Sequence, residues 1–177
     1  MGSKKRIYIL AFLMILGILS GCDVENNEVG RKQLFDLNWK YNQGENASAY
    51  HIDFNDQDWE STDLPHSWNK DLDSNSIIWY RKHFEIPQSW SNKSISIFFE
   101  GISYPHDLYI NGVLIEDIKK EEMAIHVDLD SYIISKKNNV IAVRITKPHQ
   151  QNNPSQPESG IFKHVWLVVK DNSNLKQ

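Results

Sequence analysis

The chain has 177 residues, a formal net charge of −4 and one cysteine, Cys22. This length suits one globular domain behind an N-terminal leader and does not suit a three-domain enzyme. The negative charge argues against nucleic acid as a partner. Because one cysteine cannot form an internal disulfide, the fold must depend on its hydrophobic core.

Residues 1–21 have the features of a bacterial lipoprotein signal peptide. Lys4, Lys5 and Arg6 give a positive start, the apolar run over 7–19 is too short to span a bilayer, and 19–22 reads Leu-Ser-Gly-Cys, the form of a lipobox. We therefore predict that residues 1–21 are removed and that Cys22 carries a lipid. The chain would then reside in the bacterial cell envelope and touch the membrane only through this anchor.

Residues 22–32 are polar and have no apolar period, which predicts a flexible tether between the lipid and a folded domain. We predict that this domain spans 33–170 and that 171–177 form a disordered tail.

The domain sequence consists of short segments rich in aromatic and β-branched residues, separated by Asn, Asp, Ser, Gly and Pro. This pattern is typical of strands, and no segment keeps a helical period. The predicted strands are 33–39, 78–86, 94–100, 107–110, 113–116, 123–129, 139–146 and 162–169.

Two local patterns support an antiparallel fold. Ile95, Ile97 and Phe99 alternate with Ser94 and Ser96, which predicts a strand with one face in the core. Asn111-Gly112 sits between two apolar segments, and these residues accept the positive φ values of a type I′ turn, so we predict a two-residue hairpin there. Short strands with long connecting loops indicate an all-β, two-sheet sandwich of jelly-roll type.

Five short patterns run in order through the domain: Asp58-Trp59, Leu64-Pro65-His66-Ser67-Trp68, Trp79-Tyr80-Arg81-Lys82, Tyr109-Ile110-Asn111-Gly112, and 159–167, which reads Ser-Gly-Ile-Phe-Lys-His-Val-Trp-Leu. Together they resemble the N-terminal sugar-binding domain of family 2 glycoside hydrolases, the β-galactosidase and β-glucuronidase family. The resemblance covers about 33–169 and implies a galactose-binding-like jelly roll.

The resemblance also implies that this chain does not cut sugars by itself. In the family, cleavage belongs to a later (β/α)₈ barrel, which needs about 250 residues of its own. We expect no catalytic residue and no cofactor. The expected function is a non-catalytic carbohydrate-binding module, or the N-terminal part of a hydrolase of β-galactosides or β-glucuronides. The catalytic barrel of that hydrolase would be either truncated or encoded next door as a separate protein. The alternative is a structural or interaction lipoprotein that keeps the fold without binding sugar.

The candidate sugar site comes from two loops, 69–76 and 147–159, because the corresponding family loops reach over the barrel. The candidate residues are Trp68, Asn69, Asn75 and Glu158. An exposed ring can stack on the C–H face of a sugar, and we expect exposure for Trp68 and Trp90, in loop-like settings. The four other tryptophans are expected in the core: Trp39, Trp59, Trp79 and Trp166.

Two further patterns are interpreted as structural. His66 lies between a proline and a tryptophan, and we expect it to be a hydrogen-bonded loop residue. Asp53, Asp56 and Asp58 come close to a calcium loop but lack its glycine and its last acidic residue, so we expect a solvated turn. The seven histidines show no zinc-binding spacing. No metal site is predicted.

Overall fold

The computed structural model describes residues 31–68, 76–103, 105–115, 123–135, 137–146 and 160–172. Within these ranges the only helix is a 3₁₀ turn, Gln88–Trp90, and no helix has the length and apolar character needed to cross a bilayer. The strands are β1 Arg31–Leu34, β2 Trp39–Gln43, β3 Glu60–Thr62, β4 His66–Ser67, β5 Ile77–Phe84, β6 Lys93–Phe99, β7 His106–Ile110, β8 Val113–Leu114, β9 Ile125–Asp128, β10 Asn139–Thr146, β11 Gly160–Ile161 and β12 Val165–Asp171.

The strands form two facing sheets and one small extra pair. One sheet has the order β1-β12-β6-β9, the other has the order β3-β2-β5-β10-β7-β8, and β11 pairs with β4. Apolar side chains of the two inner faces make one core, which includes Ile97, Phe99, Leu108, Ile141 and Leu167. The predicted all-β sandwich is therefore confirmed.

The alternation in β6 has the predicted outcome. Ile95, Ile97 and Phe99 are at most 1% exposed, whereas Ser96 and Phe98 on the other face are half-buried. Because successive side chains of a strand point to opposite faces, this period-two pattern separates the core face from the outer face.

The predicted strand at 33–39 is wrong, because this stretch contains the end of one strand and the start of another. β1 belongs to the four-stranded sheet and β2 to the six-stranded sheet. Between them Asn38 has φ +59° and its N–H donates to Oδ1 of Asp63, 2.8 Å away. Arg31 and Lys32, assigned to the tether, pair with β12 instead. The predicted signal peptide and Cys22 lie outside the described residues.

The predicted strand at 162–169 corresponds to β12, which begins three residues later at Val165, and the short β11 before it was not predicted. The end of β12 at Asp171 pairs with Lys93, so the predicted tail begins at least one residue too early. The two short strands β3 and β4 were missed.

The hairpin at Asn111-Gly112 is confirmed. Asn111 has φ +50° and Gly112 has φ +86°, as a type I′ turn requires. Oδ1 of Asn111 also accepts a hydrogen bond from the N–H of Val140 at 2.8 Å, which attaches the turn to β10.

Gly112→Val is expected to lower the free energy of unfolding by about 1–3 kcal/mol, because a β-branched residue is strained at positive φ. The nearest atom to an added Cβ is 3.8 Å away, so the effect comes from backbone strain rather than from a clash. Chemical denaturation measures it, with Val113→Thr at the neighbouring exposed position as the control. Equal stability of the two variants would contradict the turn assignment.

The outer face of the six-stranded sheet is covered by the segment 44–59. Ala49 and Trp59 from this segment pack on Trp79 of β5 and Ala142 of β10. Because both faces of β5 and β10 are covered, these strands are buried along nearly their whole length. Trp39, Trp59 and Trp79 are buried as predicted. Trp166 is only half-buried, on the outer face of the other sheet.

Candidate functional site

The pairing of β4 with β11 brings together the chain positions that flank both candidate loops. Ser67 is paired with Gly160 and His66 with Ile161. Loop 69–76 follows β4, and loop 147–159 precedes β11. The structure therefore joins β4 and β11, which are far apart in the sequence. Asn69, Asn75 and Glu158 lie outside the described residues, and their sugar contacts stay a prediction.

Trp68 does not have the exposure we expected. Its side chain is 5% exposed and belongs to the core. Trp68 directly follows β4, whose pairing with β11 is a long-range contact that the local sequence does not show. A buried ring offers no face for stacking, so the exposed-ring expectation is wrong. Trp90 is half-buried and packs against the core.

A polar cluster next to the β4–β11 pair consists of His66, Tyr80 and Tyr41. Nδ1 of His66 lies 2.8 Å from the hydroxyl of Tyr80, and the Tyr41 ring packs against both rings. Burial lowers the pKa of His66 and raises the pKa of Tyr80, which favours their neutral forms. The Tyr80 hydroxyl also lies 3.5 Å from the carbonyl oxygen of His66, to which it can donate. The predicted hydrogen bonding of His66 is confirmed, but the residue lies in the short strand β4 and not in a loop.

Gly160 connects this cluster to the neighbouring segment at Ser103. Its N–H donates to Oγ of Ser103 at 2.6 Å, and its carbonyl accepts the N–H of Ser103 at 2.8 Å. Its φ is +133°, and a Cβ built on it would lie 2.3 Å from the carbonyl oxygen of His66. Only glycine fits this close approach of two backbones. The base of loop 147–159 is therefore held in one position.

Asp56 is not part of a solvated turn, contrary to our expectation. It is 7% exposed, and its Oδ2 lies 2.8 Å from both Nε of Arg81 and Nε2 of His83. Burial by itself raises the pKa of this carboxyl, but the hydrogen bonds and charges of its two partners outweigh that and lower it. Asp53 and Asp58 are exposed. The missed signal was Arg81 in the middle of an apolar strand, since a buried guanidinium needs a carboxylate.

A second buried carboxylate, Asp36, holds the crossover between the sheets against β12. Its Oδ1 accepts the N–H of Val165 at 2.9 Å, and its Oδ2 lies 2.7 Å from Nδ1 of His164. The carbonyl of Asp36 accepts the N–H of Leu64 at 3.0 Å. One residue therefore links the crossover, the start of β12 and the segment that leads into β4.

The hydrogen bond from His164 to Asp36 raises the pKa of His164 above its ordinary value. The protonated imidazole then stabilises the fold below about pH 6.5, and this contribution is lost as the pH rises through the raised pKa. Thermal unfolding of the wild type and of His164→Gln across this range measures it. We expect the stability difference to be largest at the acidic end. A difference independent of pH would contradict the pairing.

The comparisons with known proteins agree with this architecture. Residues 64–170 match the family model described as glycosyl hydrolases family 2, sugar binding domain. A β-galactosidase of Thermoanaerobacter pseudethanolicus is 27% identical over 164 residues, which cover 84% of this chain and 22% of that protein. A β-galactosidase of Bacteroides ovatus is 29% identical over 147 residues, covering 75% of this chain and 17% of that protein.

Solved structures give the same result. The crystal structure of a Bacteroides uniformis β-glucuronidase matches this chain with a TM-score of 0.71 and 27% sequence identity. The match covers 80% of this chain and 18% of the β-glucuronidase chain. The chain thus spans about a fifth of the length of these relatives. With more than half of its residues matched by the family model, the chain belongs to the sugar-binding domain family of the family 2 glycosyl hydrolases.

Proposed function

We propose that this domain binds β-galactosides or β-glucuronides as the sugar-binding part of a family 2 glycosyl hydrolase. Cleavage would be carried out by a catalytic barrel outside residues 1–177. The match of residues 64–170 to the family's sugar-binding domain carries the proposal. That range contains both β4 and β11, whose pairing joins the two candidate loops. Relatives named β-galactosidase and β-glucuronidase support the substrate class.

The two buried carboxylates support a non-catalytic role for the domain. Glycoside hydrolysis needs a pair of carboxyl groups, one of them kept protonated by a raised pKa. Asp36 and Asp56 both accept hydrogen bonds from fixed N–H donors. The lowered pKa of Asp56 is the reverse of what an acid catalyst requires. Asp36 and Asp56 therefore stabilise the fold, and the catalytic carboxyl groups would belong to the barrel.

The DNA adjoining the codons for residues 1–177 tests the proposed division of labour. We expect it to encode a family 2 barrel, in the same frame or in a neighbouring gene. The chain alone should hydrolyse neither nitrophenyl β-galactoside nor nitrophenyl β-glucuronide, and hydrolysis should require the barrel. Turnover by the chain alone that disappears in Glu158→Gln would contradict the proposal.

A structural or interaction lipoprotein remains the second candidate, and the burial of Trp68 favours it. The ring expected to stack on sugar is part of the core instead. Absence of a barrel gene near this one, together with no sugar binding by the chain, would select this second function.

The lipid anchor belongs to the same proposal. Diacylation of Cys22 after export would hold the domain at the cell envelope, close to extracellular glycans. In Cys22→Ser we expect an unprocessed precursor or released protein, and membrane fractionation of cells producing each form measures this. A variant that fractionates with membranes at the same mature size as the wild type would contradict the lipobox interpretation.

A further inference from the structure

A row of four side chains crosses the outer face of the four-stranded sheet. Leu34 of β1 is paired with Trp166 of β12, Trp166 with Phe98 of β6, and Phe98 with His126 of β9. Directly paired residues point to the same face of a sheet, so these four side chains lie side by side. We call them the outer row. With strands about 4.8 Å apart, the row is about 14 Å long, the length of a few pyranose rings.

The two aromatic rings of the outer row are half-buried, and the flanking Leu34 is 48% exposed. Nε1 of Trp166 donates to Oε1 of Glu100 at 2.8 Å, which fixes the orientation of the indole and satisfies its only donor. His164 meets the Trp166 ring edge-on, with centroids 6.1 Å apart. The indole is thus held in one orientation before any ligand arrives.

Polar side chains border the outer row on both sides. Glu100 and His164 lie next to Trp166, and the His164 side chain is 49% exposed with Nδ1 engaged by Asp36. On the other side Nε2 of His126 lies 2.8 Å from Oγ of Ser96, and Nζ of Lys32 lies 5.7 Å from the centre of the Phe98 ring. Hydrogen-bonding groups of both kinds therefore flank an apolar strip.

We propose that the outer row is a glycan-binding surface on which Trp166 stacks against the C–H face of a pyranose ring while Glu100 and His164 hydrogen-bond its hydroxyls. This inference rests on the proposed function for the ligand class and assigns it a site on the outer face of the four-stranded sheet. It also replaces the buried Trp68 as the stacking ring.

The shape of the outer row favours a sugar over a protein partner. A stable protein interface buries about 800 Å² on each side and has a broad apolar centre. On one side the next row of paired residues places Val168, which is 8% exposed, between the polar Lys32 and Ser96. On the other side Glu100 and His164 lie against Trp166. A pyranose needs this combination, since it presents an apolar face and a rim of hydroxyls at the same time.

Saturation-transfer NMR on the full chain tests the surface, with methyl β-D-galactoside, methyl β-D-glucuronide and lactose as probes. We expect transfer to be strongest for protons on one face of the pyranose ring, which a merely structural tryptophan would not produce. In Trp166→Ala the signal should fall about tenfold, and Trp166→Tyr should retain part of it because a ring remains for stacking. Trp90→Tyr, at the other half-buried tryptophan, is the control and should bind normally.

A second variant keeps the test decisive if Trp166→Ala fails to fold. Leu34 is exposed, so Leu34→Arg leaves the core intact, and its guanidinium can cover the neighbouring indole face. Binding should weaken in this variant. Sugar binding that persists unchanged in Leu34→Arg or in folded Trp166→Ala would overturn the outer-row site and leave the proposed function standing. No binding of any probe to the wild type would also overturn the site, whereas the proposed hydrolase role is decided separately by the barrel gene.

Discussion

Arg81→Met is expected to destabilise the domain by about 3–5 kcal/mol, the usual cost of breaking a buried ion pair from one side. The Arg81 side chain has no exposed area, and its Nε donates to Asp56. Nη1 donates to the carbonyls of Ala49 and His51. Methionine keeps much of the apolar volume but leaves the carboxylate of Asp56 and both carbonyls without this donor. The segment 44–59 should detach from the sheet, and denaturant unfolding measures the loss.

Arg144→Met is the matched control for the buried pair. Arg144 lies on the adjacent strand and its Nη2 pairs with Glu45 at 2.9 Å, but the two side chains are 25% and 53% exposed. An exposed pair of this kind contributes at most about 1 kcal/mol. If Arg81→Met were no more destabilising than Arg144→Met, the anchoring role of Arg81 would be wrong.

Gly160→Ala is expected to cost about 3 kcal/mol or more, because strain and overlap act together at this position. The backbone has φ +133°, and the added Cβ would lie 2.3 Å from the carbonyl oxygen of His66 and 2.9 Å from the hydroxyl of Tyr80. Relief of the clash requires β4 and β11 to separate. The loss should therefore appear both in the melting temperature and in faster hydrogen exchange of the Ile161 amide.

Gly44→Ala separates strain from overlap. Gly44 also has a positive φ, +116°, but no atom lies within 4 Å of an added Cβ. This variant should lose about 1–3 kcal/mol from strain alone. A Gly160→Ala variant as stable as Gly44→Ala would show that the backbones of β4 and β11 are not in close contact.

The sandwich was predictable from the sequence because local patterns determine it. The alternation of Ile95, Ile97 and Phe99 follows from the geometry of one strand, and the Asn111-Gly112 turn follows from the backbone preferences of two residues. The division of 33–39 into β1 and β2 was not predictable in this way. It depends on Asp36, whose partners His164 and Val165 lie more than a hundred residues later.

The sequence predicted which segments of the chain form the candidate site, but not which of its side chains are exposed. The family resemblance indicated the two loops, and the pairing of Ser67 with Gly160 brings their ends together. The burial of Trp68 was missed because β4, the short strand before it, depends on pairing with the distant β11 and not on a local pattern. The outer row was missed because it requires the order of four strands, and Leu34, Phe98, His126 and Trp166 share no local sequence pattern.

Calorimetric titration of the full chain with methyl β-D-galactoside and methyl β-D-glucuronide tests the central claim most directly, with methyl α-D-mannoside as the control sugar. The predicted result is weak, selective binding of one of the β-linked sugars, with a dissociation constant in the high micromolar to millimolar range, or about 4–6 kcal/mol. Absence of binding to both β-linked sugars at concentrations well above this range, or equal binding of all three sugars, would contradict a sugar-binding role for this domain.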